Sequence, residues 1–168
     1  MKELSLHILD IAKNSVKAKA SVIEIYIKEE KEKNLLTIEI KDNGKGMSAD
    51  FLKTVKHPFS TTRTTRKVGM GISLFEAAAK QCGGELTIES ELNAGTVVKT
   101  TFELNNIDRA PIGDMAGTMI TLMSGSPEID FLYEHSNTEK SFKFDTKEVK
   151  KIIRENNLIP DYIDYKIG

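Results

Sequence analysis

Hydrophobic residues change from helical to alternating spacing twice within residues 1–104, and few folds accommodate that order. Over residues 4–18, apolar side chains recur every three or four positions, as they do along one face of an amphipathic helix. Residues 22–28 and 36–41 then alternate between apolar and polar, with a charged turn between the two runs. This pattern predicts a helix followed by a β-hairpin that buries one of its faces.

A second set of helices and paired strands follows the first hairpin. Ser48 can cap a short helix, and a longer helix opens at Gly69 and ends at Gly83-Gly84. Two more alternating runs, 85–90 and 96–104, flank a turn. Helices therefore alternate with antiparallel strand pairs. This order predicts an α+β two-layer sandwich, in which one mixed sheet carries its helices on one face.

The last third of the chain has a different character. Three of the four prolines lie after residue 105, and the hydrophobic spacing predicts a helix, a hairpin and a final helix. Asp145 and Glu148 have the spacing of a capping box at the start of that final helix. We therefore divide the chain into a domain at 1–104 and a C-terminal extension at 105–168, whose role the sequence does not reveal.

Charge and composition exclude several classes of function. The chain has 24 Lys and Arg against 25 Asp and Glu, so no net field attracts nucleic acid or an anionic membrane. The single cysteine, Cys82, excludes a disulfide framework and a multi-thiolate metal site. The N-terminal residues lack the apolar run of a signal peptide, and no stretch approaches the roughly 18 apolar residues of a membrane span. We expect a cytoplasmic protein.

The first predicted helix carries a row of polar residues. His7, Asp10, Asn14 and Lys17 are spaced so that they share one side of the helix. A carboxylate, an amide oxygen and an ammonium group in one row suit a hydrated Mg²⁺ ion and its phosphates. A solvated polar face would have the same pattern, so this helix alone leaves both interpretations open.

Two glycine-containing segments have the properties of a nucleotide site. Asp42 ends a strand and is followed by Gly44 and Gly46; its carboxylate can accept a hydrogen bond from an exocyclic amine, and the glycines permit close approach of a flat base. Gly69 and Gly71 open a helix, where free N–H groups and the helix dipole favour an anion. Each segment also fits a plain structural turn when it is considered alone.

A basic segment lies between these two glycine pairs. From Phe51 to Phe75 the chain has no acidic residue. The basic residues of this segment are Lys53, Lys56, Arg63, Arg66 and Lys67. In a chain with almost no net charge, such a block indicates a polyanion site, and its many hydroxyl groups suggest a lid over a triphosphate. A solvated basic loop is the alternative.

Taken in order, these segments resemble the ATP-binding domain shared by histidine kinases, DNA gyrase, heat-shock chaperones and mismatch-repair ATPases, the GHKL superfamily with the Bergerat fold. The similarity covers about residues 4–104. Its motifs are the N box at 9–18, the G1 box at 42–47, the F box and lid at 57–63, the G2 box at 69–74, and a closing hairpin at Gly83-Gly84 and Gly95-Thr96.

The resemblance implies a role for each motif residue. Asn14 would hold Mg²⁺, Asp42 would bind the adenine amino group, and Asp10 and Lys17 are the catalytic candidates. The other residues assigned to ATP are Gly44, Gly46, Met47, Phe59, Thr61, Thr62, Arg63, Lys67, Gly69, Met70, Gly71, Ile72 and Thr96.

Departures from the family pattern leave three functions open. Gyrase-like ATPases carry a glutamate at the position of Asp10, whose side chain is shorter by one bond, about 1.5 Å. Lys17 is typical of kinases, which favours transfer of the γ-phosphate to a partner protein. An ATP-hydrolysing switch and an ATP-gated, anti-sigma-like binding module are the alternatives. Because the N box begins so close to Met1, we expect a stand-alone domain whose phosphoacceptor or regulatory partner is a separate protein.

Overall fold

A computed structural model describes residues 3–56 and 67–155, which form five α-helices and six strands. Of the helices in these ranges, none has the length and apolar character that a membrane crossing requires. The elements are α1 (Leu4–Lys17), β1 (Val22–Glu30), β2 (Leu35–Asp42), α2 (Ala49–Lys56), α3 (Lys67–Gln81), β3 (Leu86–Glu91), β4 (Gly95–Glu103), α4 (Met115–Gly125), β5 (Asp130–Ser136), β6 (Ser141–Asp145) and α5 (Thr146–Glu155).

The six strands form one mixed sheet in the order β3-β4-β2-β1-β5-β6. Every neighbouring pair is antiparallel except β1 and β5, which run parallel. Burial alternates along β1 and β2, so one face of the sheet forms the core and the other carries the polar residues. The predicted α+β sandwich is confirmed.

The core lies between that face and the helices. Ile25 of β1 is paired with Ile40 of β2, and Ile40 with Val98 of β4, which gives a continuous apolar row across the sheet. α1 and α3 pack against each other over this row, and α2 packs against α3. Phe75 of α3 is fully buried between the rings of His7 and Phe102. The sheet and the two long helices therefore hold the ends of β2 and α1 in fixed positions.

The long helix α3 begins two residues earlier than the glycine pattern predicts, at Lys67. Gly69 and Gly71 thus lie in its first turns, where a glycine costs about 1 kcal/mol relative to alanine but does not stop a helix. Its predicted end is present: Gly84 N–H donates to the Ala79 carbonyl at 2.8 Å, and Gly83 N–H to the Lys80 carbonyl at 3.2 Å. Gly83 has a φ of +74°, as this type of helix cap requires.

The last third of the described chain belongs to the same sheet. β5 pairs with β1, β6 pairs with β5, and α4 packs against α1. Phe131 and Tyr133 of β5 are buried in the core together with Met119 of α4. The order after residue 105 is helix, hairpin and helix. The division at residue 104 stays a prediction, since the sheet is continuous across it.

Candidate functional site

A cavity of about 290 Å³ opens between the C-terminal half of α1, the ends of β2 and β4, and the start of α3. Its size is close to the lower end of the range for small-molecule sites, about 300–1,000 Å³. Its polar lining residues are Asn14, Ser15, Lys17, Asp42, Lys45 and Thr96. Its apolar lining residues are Ile11, Ala18, Ile40, Met47, Phe51, Ile72 and Val98, and Gly46 completes the wall.

Asp42 is the most buried carboxylate of this cavity, with 9% of its surface exposed. The Ser15 hydroxyl donates to Oδ2 at 2.5 Å, and the backbone N–H of Gly44 donates to Oδ1 at 2.8 Å. Each carboxylate oxygen has a further lone pair after these bonds. Asp42 can therefore accept a hydrogen bond from a ligand without losing either internal partner.

The glycines after Asp42 are required by their neighbours within the chain. A Cβ atom on Gly44 would lie 2.7 Å from the Ala18 carbonyl oxygen, and one on Gly46 would lie 2.0 Å from the Glu91 carbonyl oxygen. Gly46 also has a φ of +69°. Between them, Lys45 N–H donates to the Ala18 carbonyl at 2.9 Å. The loop is thus packed tightly onto the end of α1, a reason for glycine that the sequence alone does not show.

Ser90 organises the opposite wall. Its hydroxyl oxygen accepts from Met47 N–H at 2.9 Å and donates to the Gly95 carbonyl at 3.0 Å. The hydroxyls of Ser90 and Thr96 are 2.8 Å apart. Because Ser90 has one hydrogen, which the Gly95 carbonyl takes, Thr96 is the donor in this pair. Thr96 therefore presents an acceptor oxygen to the cavity.

Sequence reasoning missed Ser15, Lys45 and Ser90. The sequence could have indicated Ser15, since it follows Asn14 directly in the N box. Lys45 lies inside the G1 segment, where its charge could have been considered. Ser90 had no signal without the strand register, which places it opposite Thr96 in the β3–β4 hairpin.

The polar row on α1 is divided between two places. Asn14 and Lys17 line the cavity. Asp10 is exposed, and its Cβ lies 3.8 Å from the position that a Cβ on Gly71 would take, so it faces the first turns of α3.

His7 does not belong to a solvent-facing row, and that prediction is wrong. It is 3% exposed and stacks on Phe75 at 5.0 Å with 15° between the rings. Within the described residues its Nε2 has no hydrogen-bond partner. Burial lowers the pKa of the imidazole from 6.5, and the positive amino terminus lowers the pKa further. His7 lines a separate cavity of about 310 Å³ with Cys82 and Phe102, on the far side of the α1–α3 contact.

The remaining predicted residues lie at the start of α3 or outside the described ranges. Ile72 is buried and lines the cavity, whereas Met70 is 51% exposed. Lys67, Gly69 and Gly71 occupy the first turns of α3. The predicted lid residues Phe59, Thr61, Thr62 and Arg63 lie outside the described residues.

Comparison with known proteins agrees with this geometry. Residues 2–106 match the family described as histidine kinase-, DNA gyrase B-, and HSP90-like ATPase. A putative sensor protein of Shewanella frigidimarina is 38% identical over 76 residues, covering 45% of this chain and 12% of that protein. The sensor kinase CckA of Brucella abortus is 31% identical over 98 residues, covering 55% of this chain and 10% of that kinase. The matches thus span a small part of each relative's length.

Solved structures share the fold at low sequence identity. The Aquifex aeolicus MutL ATPase domain complexed with ADP has a TM-score of 0.51 and 17% identity, and the match covers 92% of this chain and 70% of that one. The N-terminal domain of a DNA repair protein has a TM-score of 0.52 and 16% identity, covering 84% of this chain and 51% of that one. At these identities, the likeness concerns the fold alone.

Proposed function

Because the chain belongs to the family of histidine kinase-, DNA gyrase B- and HSP90-like ATPases and carries their ATP-binding domain, we propose that it acts as a histidine kinase-like catalytic domain. It transfers the γ-phosphate of ATP to a separate partner protein in a cytoplasmic signalling or regulatory system. The observation that carries this proposal is the single cavity that Asn14, Lys17 and Asp42 line together. The sequence similarity to sensor kinases supports the choice of kinase.

In this proposal the base and the phosphates occupy different ends of the cavity. Adenine lies against Asp42, whose free lone pairs accept from the 6-amino group, with Thr96 beside it. The phosphates lie toward Lys17 and the start of α3, where the first N–H groups of the helix are not used by its own hydrogen bonds; Gly69 lies in this turn. The predicted lid residues would add positive charge from Arg63.

Asn14 is the residue in the described part of the chain that suits Mg²⁺. Its amide oxygen is a hard ligand on the cavity wall, and no group of three or more His, Cys, Asp or Glu side chains in the described ranges is arranged to hold a metal. Asn14 would therefore share the ion with phosphate oxygens and water. When bound, Mg²⁺ neutralises charge that develops on the phosphates.

Phosphoryl transfer requires mainly positioning and charge neutralisation from the protein. Lys17 supplies positive charge beside the phosphates. A nucleophilic nitrogen or oxygen of the partner forms a bond to the γ-phosphorus, the bond from that phosphorus to the bridging oxygen breaks, and ADP leaves. Asp10 is exposed beside the first turns of α3, where it can accept a proton from the attacking group.

The same position of Asp10 favours a second function, hydrolysis of ATP by a switch. A carboxylate near the γ-phosphate can orient a water molecule as well as a partner's side chain. The shorter side chain of aspartate reaches less far toward such a water molecule than the glutamate of gyrase-like ATPases does. An ATP-gated binding module without chemistry is the remaining alternative.

The fate of the γ-phosphate distinguishes these functions. The chain is incubated with Mg²⁺ and γ-labelled ATP, with and without candidate partner proteins encoded beside it, and both free phosphate and labelled protein are measured. We expect label on a partner and little free phosphate from the chain alone. Steady free phosphate that disappears in Asp10→Asn would instead indicate the switch. Asp108→Asn is the matched control, because Asp108 is exposed and outside the nucleotide cavity.

A further inference from the structure

Two buried serines on α1 have different partners. Ser5 is 1% exposed and donates to Glu3 Oε1 at 2.9 Å, near the start of the helix. Ser15 is 3% exposed and donates to Asp42 Oδ2, which lies 27 positions away in the chain, at the end of β2. The bond from Ser15 therefore joins the helix to the sheet directly at the nucleotide cavity.

The two donors to Asp42 determine the orientation of its carboxylate. Oδ1 accepts from the Gly44 N–H and Oδ2 from the Ser15 hydroxyl, so each oxygen acts as an acceptor. A carboxylate held in this way presents its remaining lone pairs, which are acceptors, to the cavity. Rotation of the carboxylate about its last bond would move both oxygens away from these donors. The Asp42 carboxylate is thus a hydrogen-bond acceptor with a fixed direction in the cavity wall.

A fixed acceptor discriminates between purines. A 6-amino group donates a hydrogen bond to it, whereas a 6-oxo group brings a second acceptor against a buried negative charge. Without the Ser15 hydroxyl, Oδ2 would lose its donor while remaining mostly buried, and the carboxylate could rotate about its last bond. A rotated Asp42 no longer presents an acceptor in a fixed direction, so it loses both its hydrogen bond to a 6-amino group and its repulsion of a 6-oxo group.

We propose that Ser15 is a positioning residue that sets the nucleobase specificity of the cavity by holding the Asp42 carboxylate in a fixed orientation, as an acceptor. This proposal rests on the assignment of the cavity to ATP. It assigns the specificity to a hydroxyl on α1 that need not touch the base, and it predicts that loss of this hydroxyl changes which purine is preferred.

The test compares binding of ATP and of inosine triphosphate, which has a 6-oxo group in place of the 6-amino group. Dissociation constants are measured by calorimetry in the presence of Mg²⁺ for the wild-type chain and for Ser15→Ala. The wild-type chain is expected to prefer ATP. Ser15→Ala is expected to bind ATP about tenfold more weakly, as loss of a hydrogen bond to a charged group implies, while its affinity for inosine triphosphate stays the same or rises.

Further variants separate positioning from a purely structural effect. Ser5→Ala removes the other buried serine hydroxyl of α1 and should leave the ratio of the two affinities unchanged. Ser15→Thr retains the hydroxyl and should restore the preference for ATP. Ser15→Cys keeps nearly the same volume with a weak donor, and it replaces Ser15→Ala in the comparison if that protein does not fold. In an Asp42→Asn background, Ser15→Ala should change the ratio less than twofold, because both act on one group.

The outcomes separate this proposal from the assignment of the cavity. A wild-type chain that binds neither nucleotide would contradict the proposed function, and this inference would fail with it. A wild-type chain that prefers ATP, together with Ser15→Ala and Ser15→Cys variants that keep the same ratio, would overturn the role of Ser15 alone. An equal loss of both affinities would also overturn it, since a structural defect does not distinguish the bases.

Discussion

Asp42 and His7 are both buried polar residues, but they differ in their hydrogen-bond partners. Asp42 is buried at the cavity with a donor on each carboxylate oxygen. His7 is more deeply buried than Asp42, but within the described residues its Nε2 has no partner. An ionised group with partners is stable in such a position, whereas an imidazole without them is stable there only in its neutral form.

The first prediction concerns the pH dependence of stability at His7. Burial holds the pKa of this imidazole below 6.5 in the folded protein, so the unfolded chain binds a proton first as the pH falls. The contribution of neutral His7 to the free energy of unfolding is therefore complete above pH 6.5 and is lost as the pH decreases below this value. We expect the free energy of unfolding, measured in urea from pH 7.5 to pH 5.5, to fall more steeply for the wild-type chain than for His7→Phe.

The substitution to phenylalanine keeps a ring that can stack on Phe75, and the carboxylates titrate in both proteins. The difference between the two curves therefore isolates His7. Parallel curves would show that His7 binds its proton equally well in the folded and unfolded states.

At the scale of elements, the ends of α3 determine where its glycines are needed. Its N-terminal turns contain Gly69 and Gly71, and its C-terminus is closed by Gly83 and Gly84. The two pairs serve different purposes. At the end of the helix the left-handed conformation of Gly83 lets the chain turn back toward β3, whereas near its start a Cβ on Gly71 would lie 3.8 Å from the Cβ of Asp10, in ordinary van der Waals contact.

The second prediction is made for this helix end. Gly83→Ala should lower the free energy of unfolding by about 1–2 kcal/mol, because alanine is strained in the left-handed region. The added Cβ would also displace the side chain of Glu103, whose Cδ lies 2.6 Å from its position. Chemical denaturation measures the change. Gly125→Ala, in α4, is the matched control, because a Cβ there has no neighbour within 4 Å. The free energy of unfolding of this variant should be unchanged or slightly higher.

At the scale of the whole molecule, the sheet joins the two parts into which the sequence divides the chain. β1 is central, with β2 on one side and β5 on the other, so the strands after residue 105 extend the ATP-binding domain's own sheet. We retain the boundary at residue 104 as a proposal about which residues hold ATP. The packing of Phe131 and Met119 into the core predicts that the extension unfolds together with the rest.

The third prediction tests that cooperation. Phe131 of β5 is 1% exposed, and Phe131→Ala should lower the free energy of unfolding by about 3–5 kcal/mol, the range for a buried phenylalanine. The loss should appear as a shift of one transition that is identical by circular dichroism and by tyrosine fluorescence. Phe142→Ala is the control. Phe142 of β6 is 57% exposed, so its substitution should lower the free energy of unfolding much less. Two separate transitions in the wild-type chain would contradict a shared core.

The order and type of most elements in the first 104 residues could be predicted from the sequence, together with the motifs of the nucleotide site. Hydrophobic spacing is a local property: alternation at 22–28 and helical spacing at 4–18 reflect which side chains each segment buries. The GHKL motifs identified the family for a similar reason, since Asp42, Asn14 and Gly69 are recognised by their spacing within short segments.

Which of these residues contact one another depends on how the elements pack. The bond from Ser15 to Asp42 joins positions that are far apart in the chain, and Ser90 reaches Thr96 and Met47 only through the register of β3 and β4. His7 shares a helix side with Asn14 by spacing, yet it is buried because α3 places Phe75 against it. The parallel pairing of β5 with β1 likewise depends on contacts across the whole chain. Spacing specifies which way a side chain points on its own element, whereas its partner comes from another element that packing brings near.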